Sequence, residues 1–172
     1  MLARVGLHLS NQFQHKASGI FTKAQQKLLN NGILSFSNNV HDDVTPQYFP
    51  SSLMFTKNEI SNKPHKDFDA STVAVGWWMQ VDKINGSNNK NPTYKVSNGH
   101  FIFPENNFAV DFSQTNGICQ IILKAKDSIH YNESCIYTNT DTRLGLSVQV
   151  SKRLASFCTS HDIKSDNVHQ IN

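Results

Sequence analysis

Pro64-His65-Lys66-Asp67 sets one imidazole and one carboxylate two residues apart. In an extended segment residues at that spacing share a face, so the two side chains can chelate a single metal ion. A second imidazole, His130, follows the apolar run from Ile118 to Lys124. Two histidines and one carboxylate form the facial ligand set of non-haem Fe(II), which leaves positions open for a keto acid and O2. Arg143 lies thirteen residues beyond His130, on an alternating segment with Ser147 on its own face. A buried guanidinium with no carboxylate neighbour in sequence needs an anion. The distal carboxylate of 2-oxoglutarate supplies one through a bidentate pair helped by a hydroxyl. The spacing therefore points to His65, Asp67 and His130 as catalytic metal ligands, and to Arg143 and Ser147 as the 2-oxoglutarate-binding residues.

A lone His-x-Asp arises often by chance, and the chain has eight histidines. The argument rests on conjunction: the elements occur in the right order, each at a plausible strand edge. His8, His15, His41, His161 and His169 fall in polar or terminal stretches and are expected in solvent. His100 follows Asn98-Gly99 and opens the strand His-Phe-Ile-Phe. It is expected at a turn, with a place in the pocket wall as the alternative.

The elements that must position these residues are mostly strands. Residues 1–20 carry no clear period. A helix is predicted from about Thr22 to Asn30, with Thr22 as N-cap and Asn31-Gly32 as the stop. Residues 35–50 read as loop. Ser52 to Thr56 is a short strand and Thr72 to Val81 a long one. On the long strand Val73, Val75, Trp77, Met79 and Val81 share one face, and Thr72, Ala74, Gly76, Trp78 and Gln80 the other. Trp77 joins the apolar row and is expected in the core. Trp78 is placed to face a cavity. Further strands are predicted at His100 to Phe103, Phe108 to Phe112, Ile118 to Lys124 and Arg143 to Ser151. On the last of these Leu144, Leu146, Val148 and Val150 form the apolar row. Short strands between turn signals argue for a sandwich or barrel. The domain reading is a helical and loop segment over 1–50, a β core over 51–156 and a polar tail over 157–172.

The bulk properties agree with one globular domain. The chain has 172 residues, 38% of them hydrophobic and 17% charged, which suits a chain with its own core. The formal charge of +3 comes from scattered basic residues, so it permits a polyanion without arguing for one. Three cysteines without a Cys-x-x-Cys spacing indicate neither a disulfide framework nor a zinc knuckle, and are expected as reduced thiols in an intracellular protein. No secretory signal and no membrane span are evident.

The residues from about Leu53 to Leu154 resemble the fungal Tet-like 2-oxoglutarate/Fe(II) oxygenase domains, a branch of the Tet/JBP group. The resemblance runs through Pro64-His65-Lys66-Asp67, Gly76-Trp77-Trp78, Gly99-His100-Phe101-Ile102-Phe103-Pro104, Ala109-Val110-Asp111-Phe112, Lys126-Asp127 to His130, and Arg143 to Ser151. It implies a double-stranded β-helix, a jelly-roll or cupin-like barrel whose mouth holds the iron. It also implies oxidation of an inert C–H bond as 2-oxoglutarate is decarboxylated to succinate. In the Tet/JBP group proper the substrate is the methyl group of 5-methylcytosine or thymine in DNA, taken up by base flipping. The segment ahead of His65 is short for that family, the pattern of a fragment or a shortened paralogue.

Three functions stay open on the sequence: a dioxygenase acting on DNA bases, a dioxygenase acting on a protein or small molecule, and a degenerate copy serving as a binding module. Lys63, Lys66, Lys83, Lys90 and Lys95 are the candidates for phosphate contact. O2 and 2-oxoglutarate are the expected co-substrates, and no obligate protein partner is indicated. A DNA substrate would fit nuclear residence, although no basic cluster shows it.

Overall fold

The protein is described from a computed structural model, covering residues 2–33, 35, 49, 51–58, 60–87, 97–115, 117–136 and 140–161. Most of the 35–50 loop, His41, Lys90, Lys95, His169 and the tail beyond residue 161 lie outside the described residues. The chain divides into two compact units. The first comprises Met1–Leu53, Phe68–Ala74 and Val148–Asn172; the second comprises Met54–Asp67 and Val75–Ser147.

The first unit begins with two helices, α1 (Leu2–Lys16) and α2 (Ser18–Asn30). Helix α1 has weak intrinsic propensity, with Gly6, Ser10 and Asn11 in its length. Its packing compensates: Leu9 and Phe13 stand one turn apart and are both buried. Phe21, Ala24 and Leu28 form the matching stripe on α2. Phe13 meets both Phe21 and Phe49 edge-on, with ring centroids 5.5 Å apart in each case. The buried Ser10 hydroxyl donates to the Phe49 carbonyl at 2.5 Å and accepts from the Phe49 amide at 3.1 Å. Helix α2 starts earlier than its sequence suggests. Thr22 does not cap it; its hydroxyl donates to the Ser18 carbonyl inside the helix.

A third helix, α3 (Lys152–Ser160), begins where the last strand was expected to end. Ser151 is its N-cap, with Oγ accepting from the Leu154 amide at 3.5 Å.

Strands β1 (Ser52–Lys57), β2 (Ala74–Asp82), β6 (Ile118–Leu123) and β9 (Asp141–Gln149) form a sheet in the order β1-β9-β2-β6. Most of their length belongs to the second unit. That unit also contains an antiparallel pair, β3 (Ser97–Asn98) with β8 (Cys135–Ile136). A three-stranded antiparallel sheet runs in the order β5 (Phe108–Val110), β4 (Phe101–Phe103), β7 (Tyr131–Asn132). Phe101 stands opposite both Val110 and Asn132. The two sheets meet through aromatic rings: Trp78 of β2 lies 5.0 Å from Phe101 and 5.3 Å from Phe112.

Mostly antiparallel sheets with a few helices are compatible with a β-sandwich or jelly-roll. No helix among the described residues is long and apolar enough to cross a membrane. On β9 Arg143 is buried, as expected of a guanidinium that needs an anion; Gly145 on the same face is buried too, while Leu144 and Leu146 are only half-buried. Farther along, Val148 and Val150 are buried as expected. The first half of β9 therefore turns its Arg143 face to the aromatic cluster.

Candidate metal centre

His65 and His130 face each other across an isolated antiparallel bridge. Each amide donates to the other residue's carbonyl, at 3.1 Å and 3.0 Å. The register thus brings two imidazoles 65 positions apart in sequence to a ring separation of 4.7 Å. The Asp67 amide donates to the Ala125 carbonyl at 2.8 Å, which ties the second half of the His-x-Asp segment to the turn before His130. On the other side, the Glu105 carboxylate accepts from the Ile129 amide at 3.1 Å and steadies the approach to His130.

Both rings are oriented in the same way. His65 Nδ1 lies 2.8 Å from the Lys63 carbonyl, and His130 Nδ1 lies 3.0 Å from the Ser128 carbonyl. A carbonyl only accepts, so each Nδ1 carries the proton and each Nε2 presents a lone pair. Those two Nε2 atoms flank one oxygen, Asp67 Oδ1, at 3.4 Å and 3.6 Å. A metal bonded at about 2.1 Å to neighbouring ligands at right angles separates them by about 3 Å. The donor set fits that requirement with a small contraction. All three ligand atoms lie within 4.8 Å of one another, so the triad can hold a metal ion. His130 is buried and His65 is more than a third exposed, so the open side of the set is the His65 side.

Phe101 stacks on His130 with centroids 5.5 Å apart. A small pocket, with room for little more than a water molecule, is lined by Trp78, Gln80, Phe112, Thr115 and Arg143 among others. The Arg143 guanidinium donates to the Gly99 carbonyl and lies 5.0 Å from the Phe112 ring centre. Gly99 adopts φ +76°, and a Cβ there would collide with Cys135 and with the guanidinium. Glycine is required on both counts. The structure therefore gathers His65, Asp67 and His130 together and sets Arg143 in an aromatic pocket that none of the three lines. Ser147 is half-buried and shares the strand face of Arg143, but it stands outside that pocket's lining. Trp77 is buried, and Trp78 lines the pocket as its parity suggested. Asp141, buried two residues before Arg143, was not among the sequence candidates.

The sequence profile of the Tet-like 2OG-Fe(II) oxygenase superfamily matches residues 1–132. The chain belongs to that superfamily. The match covers His65, Asp67 and His130 and ends before Arg143. No curated protein matches the chain.

His100 does more than sit at a turn. Its Nδ1 lies 2.6 Å from Glu133 Oε2, and its Nε2 lies 3.8 Å from Asp111 Oδ1. The register explains this, since one step beyond Phe101 puts residue 100 opposite both 111 and 133. The hydrogen bond from His100 holds the Glu133 carboxyl below its ordinary range. A depressed carboxyl stabilises the fold above its unfolded value, about 4.3, and that contribution is lost as pH falls through the lower folded value. On acidification through this window the wild type should lose more melting temperature than Glu133→Gln. Parallel melting curves for the two proteins would remove the link.

Proposed function

We propose that this chain is an Fe(II)- and 2-oxoglutarate-dependent dioxygenase that oxidises a C–H bond, with a double-stranded β-helix core over 51–156. His65, Asp67 and His130 hold the iron, and Arg143 anchors the distal carboxylate of 2-oxoglutarate. Ser147 offers a hydroxyl on the same strand face, but Arg143 carries the assignment. The reading rests above all on one observation: two Nε2 atoms, each with its tautomer fixed from behind, converge on one carboxylate oxygen. The bound iron supplies the redox centre at which O2 is reduced as the keto acid is decarboxylated. The chain's own residues supply the rest. The Lys63 and Ser128 carbonyls keep both imidazoles in ligating form. Arg143 orients the acid, and the rings of Phe101, Trp78 and Phe112 keep water from its aliphatic chain.

For the substrate we propose the methyl group of 5-methylcytosine or thymine in DNA. Family membership supports this, as do the exposed lysines Lys63 and Lys66 beside His65. Anaerobic titration of the purified protein with Fe(II) and 2-oxoglutarate tests the cofactor assignment. A weak visible charge-transfer band should appear and be lost in His65→Ala and Arg143→Ala. Folded protein without the band would instead be a binding module on an oxygenase fold. Incubation with methylated DNA, followed by analysis for oxidised bases, then separates DNA from a protein or small-molecule substrate.

A further inference from the structure

Each backbone amide from Asp127 to His130 is held. Those of Asp127 and Ser128 donate to the Lys124 carbonyl at 2.9 Å and 3.0 Å, and that of His130 donates to the His65 carbonyl at 3.0 Å. The amide between them, Ile129, donates to a side chain, the Glu105 carboxylate, at 3.1 Å. The carbonyl of that same peptide unit is Ser128, which accepts from His130 Nδ1 at 3.0 Å. A peptide unit is planar, so its N–H and C=O are fixed relative to each other. A carboxylate on the N–H therefore sets the direction of the carbonyl that holds the imidazole. Hydrogen bonds in a chain also polarise one another, and an ionised acceptor makes the strongest link. Negative charge drawn toward the Ser128 oxygen tightens its hold on Nδ1–H. It thereby raises electron donation at Nε2, the atom that faces Asp67 Oδ1.

The chain delivers Glu105 to this position from a short turn. Glu105 lies in the 3-10 turn Pro104–Asn106, between β4 and β5. Pro104 presets the backbone where the turn starts. Asn107 closes it, its amide donating to the Pro104 carbonyl at 3.2 Å. The strand before the turn supplies Phe101, stacked on the His130 ring. One hairpin thus holds His130 in two ways. His65 is built differently. Its Nδ1 is held by the Lys63 carbonyl, whose peptide partner is the nitrogen of Pro64. Proline carries no N–H, so no carboxylate can back that carbonyl in the same way.

Resting on the reading of His130 as an iron ligand, we propose that Glu105 is a positioning residue for the metal. It acts through the Ser128–Ile129 peptide on His130 and not on His65.

Mn(II) affinity, from titration of the metal-free protein, gives the first test. Glu105 is exposed, so its substitution leaves the core intact. Glu105→Ala should weaken Mn(II) binding by roughly 10- to 100-fold, the cost of losing an outer-sphere partner. Glu105→Gln keeps a neutral oxygen acceptor and should fall between Glu105→Ala and the wild type. Asp127→Asn removes an equal charge from an exposed carboxylate two positions before Ile129, and should bind Mn(II) as the wild type does. A second readout separates the two histidines. In the Co(II) protein each ligating imidazole gives a paramagnetically shifted Nδ1–H proton signal. Glu105→Gln should move one of these signals and leave the other in place. Wild-type affinity in Glu105→Ala overturns the proposal. So does an Asp127→Asn loss equal to that of Glu105→Gln, which would make the effect one of charge alone, and so does movement of both imidazole signals or of neither. If Asp67→Ala binds Mn(II) as tightly as the wild type, the triad reading fails and this inference with it. Binding that depends on Asp67 yet ignores Glu105 refutes the inference alone.

Discussion

Asp67→Ala should abolish metal-dependent turnover and metal-dependent stabilisation together, while leaving the metal-free fold within about 0.5 kcal/mol of the wild type. The Asp67 carboxylate oxygen is what the two Nε2 atoms share, at 3.4 Å and 3.6 Å. Without it the site is two neutral donors with no compensating charge for a divalent ion. The loss should exceed the roughly 10- to 100-fold that removal of an outer-sphere partner costs. The fold should survive because the structural bond of this residue is made by its backbone, from the Asp67 amide to the Ala125 carbonyl, and alanine keeps it. At a hundred times Kd a bound metal adds about 2.7 kcal/mol of stability, which for a chain of this size is roughly 5–10 °C in melting temperature. That rise, measured with Mn(II), should be present in the wild type and in Asp127→Ala, an exposed carboxylate in the neighbouring turn. It should be absent in Asp67→Ala. If Mn(II) raises the melting temperature of Asp67→Ala as far as that of the wild type, the triad is not the metal site.

The triad could be read from the sequence because its chemistry is local at one end and ordered at the other. His65 and Asp67 need only an extended segment to share a face, and His130 needs only to follow a strand. Tautomer control could not be read, because it comes from carbonyls two residues upstream whose direction depends on the backbone path. The His100–Glu133 bond depends on register across 33 residues, which no local period carries. Strands β3, β7 and β8 have two residues each and are too short to show alternation.

Helix α1 was missed because tertiary burial of Leu9 and Phe13 outweighs poor propensity. Ser151 alternates properly as a strand residue and yet caps α3, a case where one residue satisfies two local patterns and packing decides. On β9 alternation separates two faces but does not say which is covered, and the aromatic cluster buries the Arg143 and Gly145 face over the first half of the strand. Gly76 and Gly145 are both glycines inside predicted strands, and such glycines mark a close neighbour: the Trp78 indole at Gly76 and the Thr56 hydroxyl at Gly145.

Arg143→Ala should raise the 2-oxoglutarate requirement by roughly 10- to 150-fold, the equivalent of about 1.5–3 kcal/mol for a hydrogen bond to a charged group. Maximal turnover at saturating keto acid should fall much less if the group is the proposed anchor, which lies away from the reacting atoms. The variant also has a structural cost. The guanidinium is buried, donates to the Gly99 carbonyl and covers the Phe112 ring, so its removal should lower stability by about 1–3 kcal/mol. The two effects are separable. Gly99→Ala keeps the charge but drives a Cβ into the space of the guanidinium and of Cys135. It should weaken 2-oxoglutarate binding while leaving Mn(II) binding at the triad intact, which loss of global stability alone would not do. The decisive comparison is the keto-acid dependence of Arg143→Ala under conditions where it is fully folded. If that dependence matches the wild type, the anion is held elsewhere, and Arg143 is only the clamp that joins β9 to the Gly99 turn.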